Sequence, residues 1–177
     1  MQVLGLVGSP RKKGNTDILV EAILGAARAK GHRTGKLHLH DLDIGPCRDC
    51  RGCKSGAQAC VVEDGMQEVY ARLDAADAIV FGTPVYWCGP SATMKLAFDR
   101  LRPYFATHGL RGKKALLVAP AGDGPGQADL LVRMFKRSFR ALEMPYVGEV
   151  LATGYDRGDV LQDAQAMAQA AALGAAL

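Results

Sequence analysis

The chain has 177 residues, 49% hydrophobic and 23% charged, with a formal net charge of +4; these values exclude a disordered chain and suit a globular protein large enough to bury a core. The charge is too mild for a nucleic-acid partner, and no apolar stretch is long enough to span a membrane. Residues 3–7 are too short and lack the basic flank of an export signal, so a cytoplasmic location is expected, with the five cysteines as thiols or metal ligands rather than disulfides.

In chain order, residues 3–7 (Val-Leu-Gly-Leu-Val) read as a strand buried on both faces of a parallel sheet. Gly8, Ser9 and Pro10 end it. A helical pattern follows from about Thr16, with Ile18, Leu19, Ala22, Ile23 and Ala26 on one face and Gly31 closing it. Leu37, Leu39 and Leu42 alternate with polar residues, predicting a second strand nearer an edge. Residues 44–63 are an irregular insertion rich in Gly and Cys. Asp64 and Gln67 have capping-box spacing, ahead of a helix carrying Met66, Val69, Tyr70 and Leu73. Ala78, Ile79, Val80 and Phe81 form a third buried strand, closed by Gly82; the loop 83–90 leads into a helix over 91–101. A fourth strand over 115–119, a Gly-rich loop at 122–126, a helix over 128–142, a fifth strand over 146–152 and an Ala-rich helix within 160–177 complete the pattern. Such alternation predicts an α/β fold, a five-stranded parallel sheet covered on both sides, in one domain over residues 1–177. Ligands of such sheets bind beyond the carboxyl ends of the strands, where the strand order reverses. The loops 8–16, 82–90 and 120–126 are therefore expected to converge.

The first of these loops offers a helix N-terminus with free N–H groups, donors on Ser9, Asn15 and Thr16, and a charge on Arg11. Gly8 and Gly14 are one residue too far apart for a Walker A loop, and Asn15 stands where its Lys belongs. The dinucleotide fingerprint is absent as well. The loop suits a terminal monophosphate; an ordinary polar turn with a capping Thr is the alternative. In the second loop, Tyr86 and Trp87 sit between Thr83, Pro84, Val85 and Cys88, Gly89, Pro90, where a flat aromatic ligand finds stacking neighbours.

G-S-P-R-x-x-G-N-T from Gly8, T-P-V-Y-W from Thr83 and M-K-L-A-F-D-R from Met94 together resemble the NADPH-dependent FMN reductase family, and most nearly its iron–sulfur flavoprotein branch, over residues 1–105. The resemblance implies a flavodoxin-like three-layer sandwich and an FMN-dependent oxidoreductase. It implies that Ser9, Arg11, Asn15 and Thr16, with Gly14 in the same loop, hold the FMN phosphate. Pro84, Val85, Tyr86 and Trp87, with Gly89 beside them, would lie along the ring, and Gly122, Asp123 and Gly124 would close the site. It also implies NADH or NADPH as electron donor, an unidentified electron acceptor, and a homodimer or homotetramer. Cys88 departs from the small Gly of many relatives and reads as a buried, inert thiol.

Cys47, Cys50, Cys53 and Cys60 give C-x2-C-x2-C-x6-C. Three thiolates so spaced can wrap three corners of a cubane, with the fourth supplied later; the resemblance implies a [4Fe–4S] cluster. Zinc, a redox dithiol and metal-free thiols remain alternatives. A cluster-free NAD(P)H:FMN or quinone reductase and a non-enzymatic electron carrier or redox-sensing module are the corresponding functional alternatives. Arg133, Lys136, Arg137 and Arg140 form a basic helical stripe that reads as a solvated face. His38 and His40 share one face of the predicted second strand and read as surface residues. Asp99 and Arg100 are assigned to packing and salt bridges.

Overall fold

The computed structural model describes residues 1–56 and 58–177. In chain order its elements are β1 (Gln2–Val7), α1 (Asn15–Ala29), β2 (Arg33–His38), α2 (Met66–Ala75), β3 (Ala78–Gly82), β4 (Val85–Tyr86), β5 (Gly89–Pro90), α3 (Ala92–Asp99), α4 (Arg102–Thr107), β6 (Lys114–Ala121), α5 (Asp129–Ala141), β7 (Tyr146–Thr153) and α6 (Ala164–Ala175). Five of the strands form one parallel sheet in the order β2-β1-β3-β6-β7. This is the flavodoxin-like order, and it reverses between β1 and β3.

The apolar strands are apolar because both faces are covered. Val3, Val7, Ala78, Val80, Leu116 and Val118 pack with α1 and α6. Leu4, Leu6, Ile79, Phe81, Leu117 and Ala119 point the other way, into the layer of α2, α3 and α5. Period-two alternation within an unbroken hydrophobic run thus serves two cores at once. Phe81, Phe98, Phe135 and Phe139 form the centre of the second core, with the Phe98 and Phe135 rings edge-to-face at 4.8 Å and Phe81 and Phe139 at 5.0 Å. α5 buries Leu131, Val132, Phe135 and Phe139 and exposes Arg133, Lys136, Arg137 and Arg140, so the basic stripe is a solvated face.

Several boundaries differ from the sequence reading. β2 stops at His38, and Leu39 is wholly buried at the start of a 3₁₀ turn, Leu39–Asp41. His40 lies in that turn, and His38 is half-buried, 3.7 Å from Asp17, so the two histidines do not share a strand face. The helix expected over 91–101 ends at Asp99 as α3, and α4, which the sequence reading lacked, begins at Arg102. Pro103 sits in the first turn of α4, where its missing N–H costs nothing; deeper in a continuous helix it would remove a bond. Asp64 does bond the Met66 N–H at 2.9 Å, but Gln67 reaches the carbonyl of Val62 instead of closing a capping box. α6 begins at Ala164, capped by Asp163, whose carboxylate accepts the N–H of Ala166 at 2.9 Å. No helix among the described residues is long and apolar enough to cross a membrane.

Candidate functional site

The loops after β1, β3 and β6 converge as expected, and the loop after β7 joins them. Together they enclose a cavity of 320 Å³, lined by Ser9, Arg11, Asn15 and Thr16, by Pro84, Val85 and Tyr86, and by Pro120, Gly122, Asp123, Gly154 and Tyr155. That volume lies within the range of small-molecule sites. Gly14, Trp87, Gly89 and Gly124 do not line it. Gly14 is the N-cap of α1 and carries no side chain to bond the first turn. The leading N–H groups of α1 are therefore left to a ligand. Thr16 is not the cap; it is buried in the first turn.

Ser9 and Ser91 shape the loop. Ser9 Oγ accepts the Arg11 N–H at 3.2 Å. Ser91 caps α3 through the Met94 N–H at 3.2 Å and donates to the Gly8 carbonyl at 2.6 Å. Arg11 and Asn15 look outward to the loop after β7. Arg11 donates to the Tyr155 carbonyl at 2.9 Å. Asn15 donates to the Asp156 carbonyl at 2.8 Å and accepts the Gly158 N–H at 2.9 Å. The two loops approach so closely that a Cβ on Gly154 would lie 2.5 Å from Asn15 Nδ2. The sequence names none of Pro120, Gly154 and Tyr155 as site residues, although Pro120 opens one of the three expected loops and Gly154 and Tyr155 follow a strand end just as those loops do.

The aromatic loop is a two-residue hairpin. β4 pairs antiparallel with β5, and Trp87 and Cys88 form its tip with φ of 49° and 61°. Tyr86 edges the main cavity, whereas Trp87 is fully exposed. Trp87 and Cys88 instead line an adjoining space shared with Val85, Gly122 and Asp123. Cys88 is exposed, which corrects the expectation of a buried thiol: a tip residue in the left-handed region has no core to enter. Gly124 keeps φ at +96° in the turn after β6.

A second cavity of 130 Å³ lies elsewhere and shares no residue with the first; Cys47, Cys50, Cys53 and Cys60 all line it. Asp49 and Arg51, at φ of 45° and 62°, turn the chain between the cysteines. All four thiols are free. Burial alone would push the Cys60 thiol up, but the Val62 N–H, Arg100 and Tyr70 outweigh it and hold the thiol below its usual range. Among the described residues no three His, Cys, Asp or Glu side chains are close enough together to hold one metal ion.

A profile of the NADPH-dependent FMN reductases matches residues 1–158. The chain belongs to the NADPH-dependent FMN reductase family. It is an oxidoreductase. It is 34% identical over 149 residues to an iron–sulfur flavoprotein of Methanocaldococcus jannaschii, covering 84% of this chain and 77% of that one. Among solved structures it resembles the Trp repressor binding protein of Bacillus subtilis, with a TM-score of 0.74 and 27% identity over 98% and 99% of the two chains. It shares the fold of the NAD(P)H:quinone oxidoreductase from Methanothermobacter marburgensis, with a TM-score of 0.76 and 20% identity over 99% and 94%.

The residues of this reductase fit FMN in kind: uncapped helix N–H groups stand at one end of the larger cavity, and Pro84, Val85 and Tyr86 flank it. The cysteines also fit an iron–sulfur cluster in kind. A cubane takes one thiolate at each of four irons, so its ligands stand wider apart than those around a single ion, and four cysteines lining one cavity suit that demand.

Proposed function

We propose that this reductase is an iron–sulfur flavoprotein that carries electrons between a nicotinamide nucleotide, FMN and a [4Fe–4S] cluster. The observation that carries the reading is the pair of separate cavities, one at the switch in strand order with an uncapped helix N-terminus, the other ringed by four free cysteines. When bound, FMN would supply the exchange between two-electron and one-electron chemistry, and the cluster would supply one-electron chemistry.

The chain's own residues bind and orient. Ser9, Thr16 and the N–H groups of the first turn of α1 hold the phosphate, and Arg11 adds its charge at the rim. Asn15 serves by fixing the loop after β7 over the phosphate end. Pro84, Val85 and Tyr86 would flank the ring from one loop, and Gly122 and Asp123 from another. Trp87 and Cys88 line the adjoining space in which a nicotinamide or an acceptor would approach; Gly89 pairs with Tyr86 behind that tip, and Gly124 turns the chain after β6. Cys47, Cys50, Cys53 and Cys60 ligate the cluster, with Arg48, Arg51 and Lys54 beside it to offset anionic charge. A homodimer or homotetramer would cover the exposed Trp87 tip.

The test is anaerobic purification followed by a visible spectrum, with iron and acid-labile sulfide assayed on the same sample. About four irons and four sulfides per chain are expected with the flavin, and Cys50→Ala should lose them while keeping the flavin. Flavin without iron would reduce the protein to a cluster-free FMN reductase.

A further inference from the structure

Arg100 is the bulkiest of the fully buried side chains. It follows α3, where a cation suits the helix C-terminus. Its Nη1 donates to the carboxylate of Asp64 and to the Gly45 carbonyl at 3.3 Å. Its Nη2 donates to the Val62 carbonyl at 3.0 Å and to Cys60 Sγ at 3.4 Å. The Gly45 N–H in turn donates to Asp64 at 2.9 Å. Gly45 opens the cysteine-bearing insertion, and Val62 and Asp64 end it, so the guanidinium closes the loop at its base. Closure occupies Nη1 and one Nη2 bond. The remaining bond goes to a sulfur on the cavity wall, and Arg100 lines that cavity itself.

Resting on the cluster reading above, we propose that Arg100 is a positioning residue for the fourth cysteine: it turns Cys60 into the cavity and sets a buried positive charge beside the cluster, raising its reduction potential. One-electron reduction adds a negative charge to the cluster. A buried cation is poorly screened, and a hydrogen bond to a ligating sulfur draws charge off it; both favour the reduced state. Asp64 offsets part of that charge. Of the other cations at the cavity, Arg48, Arg51 and Lys54 are exposed and Arg102 is half-buried, so water and salt weaken them more.

The experiment is a redox titration of the cluster by EPR on anaerobically purified full-length protein, with iron and sulfide measured on each sample. Iron and sulfide in the wild type test the cluster reading itself, before any variant is compared. Arg100→Lys keeps a charge but loses the fork that serves two carbonyls and a sulfur together. It should retain iron and titrate at a lower potential than the wild type. Asp64→Asn removes the compensating charge and should move the potential the opposite way. An iron-replete Arg100→Lys at the wild-type potential would overturn the proposal. So would loss of iron in Arg100→Lys to the level of Arg100→Ala, since loop closure would then be the whole role. Shifts of the same sign in Arg100→Lys and Asp64→Asn would overturn it too.

Discussion

Asn15 lines the cavity, yet it shapes that cavity chiefly through what it holds in a neighbouring loop. Both ends of its amide are spent on the loop after β7, through Asp156 and Gly158, and that loop supplies Gly154 and Tyr155 to the cavity. Asn15→Ala should weaken FMN binding about 10-fold, the worth of one to two hydrogen bonds, with little change in the melting temperature. Flavin fluorescence quenching gives the dissociation constant directly; an unchanged value would show that the loop needs no tether. The sequence marked Asn15 as polar and well placed, but its partners lie 141 and 143 residues away, beyond the reach of spacing arguments. Arg100 was rightly assigned to packing and salt bridges, but its partners lay out of reach for the same reason. Its neighbour Asp99 pairs locally with Lys95 at 2.5 Å, while Arg100 draws on residues from 45 to 64.

At the level of elements, the hairpin after β3 breaks the usual turn chemistry. A two-residue turn with positive φ at both positions favours Asn-Gly, yet Trp87 and Cys88 occupy it. That is why the sequence reading expected a ligand-facing loop there and not a hairpin. Side chains held in the left-handed region cost on the order of 1 kcal/mol each. The double variant Trp87→Asn, Cys88→Gly should therefore melt a few degrees higher by calorimetry, while NAD(P)H turnover falls because the tip no longer presents its ring. A variant with unchanged melting and full turnover would mean the tip is neither strained nor used. α4 went unread: the sequence reading closed its helix at residue 101 and placed none before the next strand, although Pro103 offered the first-turn signal of a new one.

For the whole molecule, the doubly buried strands were the most legible feature, since β1, β3 and β6 must be apolar on both faces. α6 was the least legible. Its alanines give no contrast between faces, and only the structure shows why small residues are required: a Cβ on Gly174 would lie 2.2 Å from the Ile23 carbonyl oxygen of α1. Global stability should carry an acid limb from Asp17. Burial favours its neutral form, but Lys36 at 2.8 Å, the Lys13 N–H at 2.7 Å and His38 outweigh burial and hold the carboxyl below its usual range. The native state then binds fewer protons than the unfolded chain. This stabilisation is complete above the ordinary carboxylate value of about 3.9 and fades as pH falls through the lower native one. Urea unfolding across pH 2–6 (roughly the span in which carboxylates titrate) should show a shallower acid decline in Asp17→Asn; parallel curves would remove Asp17 from the account.

The base of the cysteine loop is fastened by Gly45, Asp64 and Arg100, not by the thiols. On the cluster reading proposed above, that separates folding from maturation. A newly made chain would already own a shaped, closed receptacle, so a cell short of iron would accumulate folded, flavin-loaded protein awaiting its metal rather than a misfolded precursor marked for degradation.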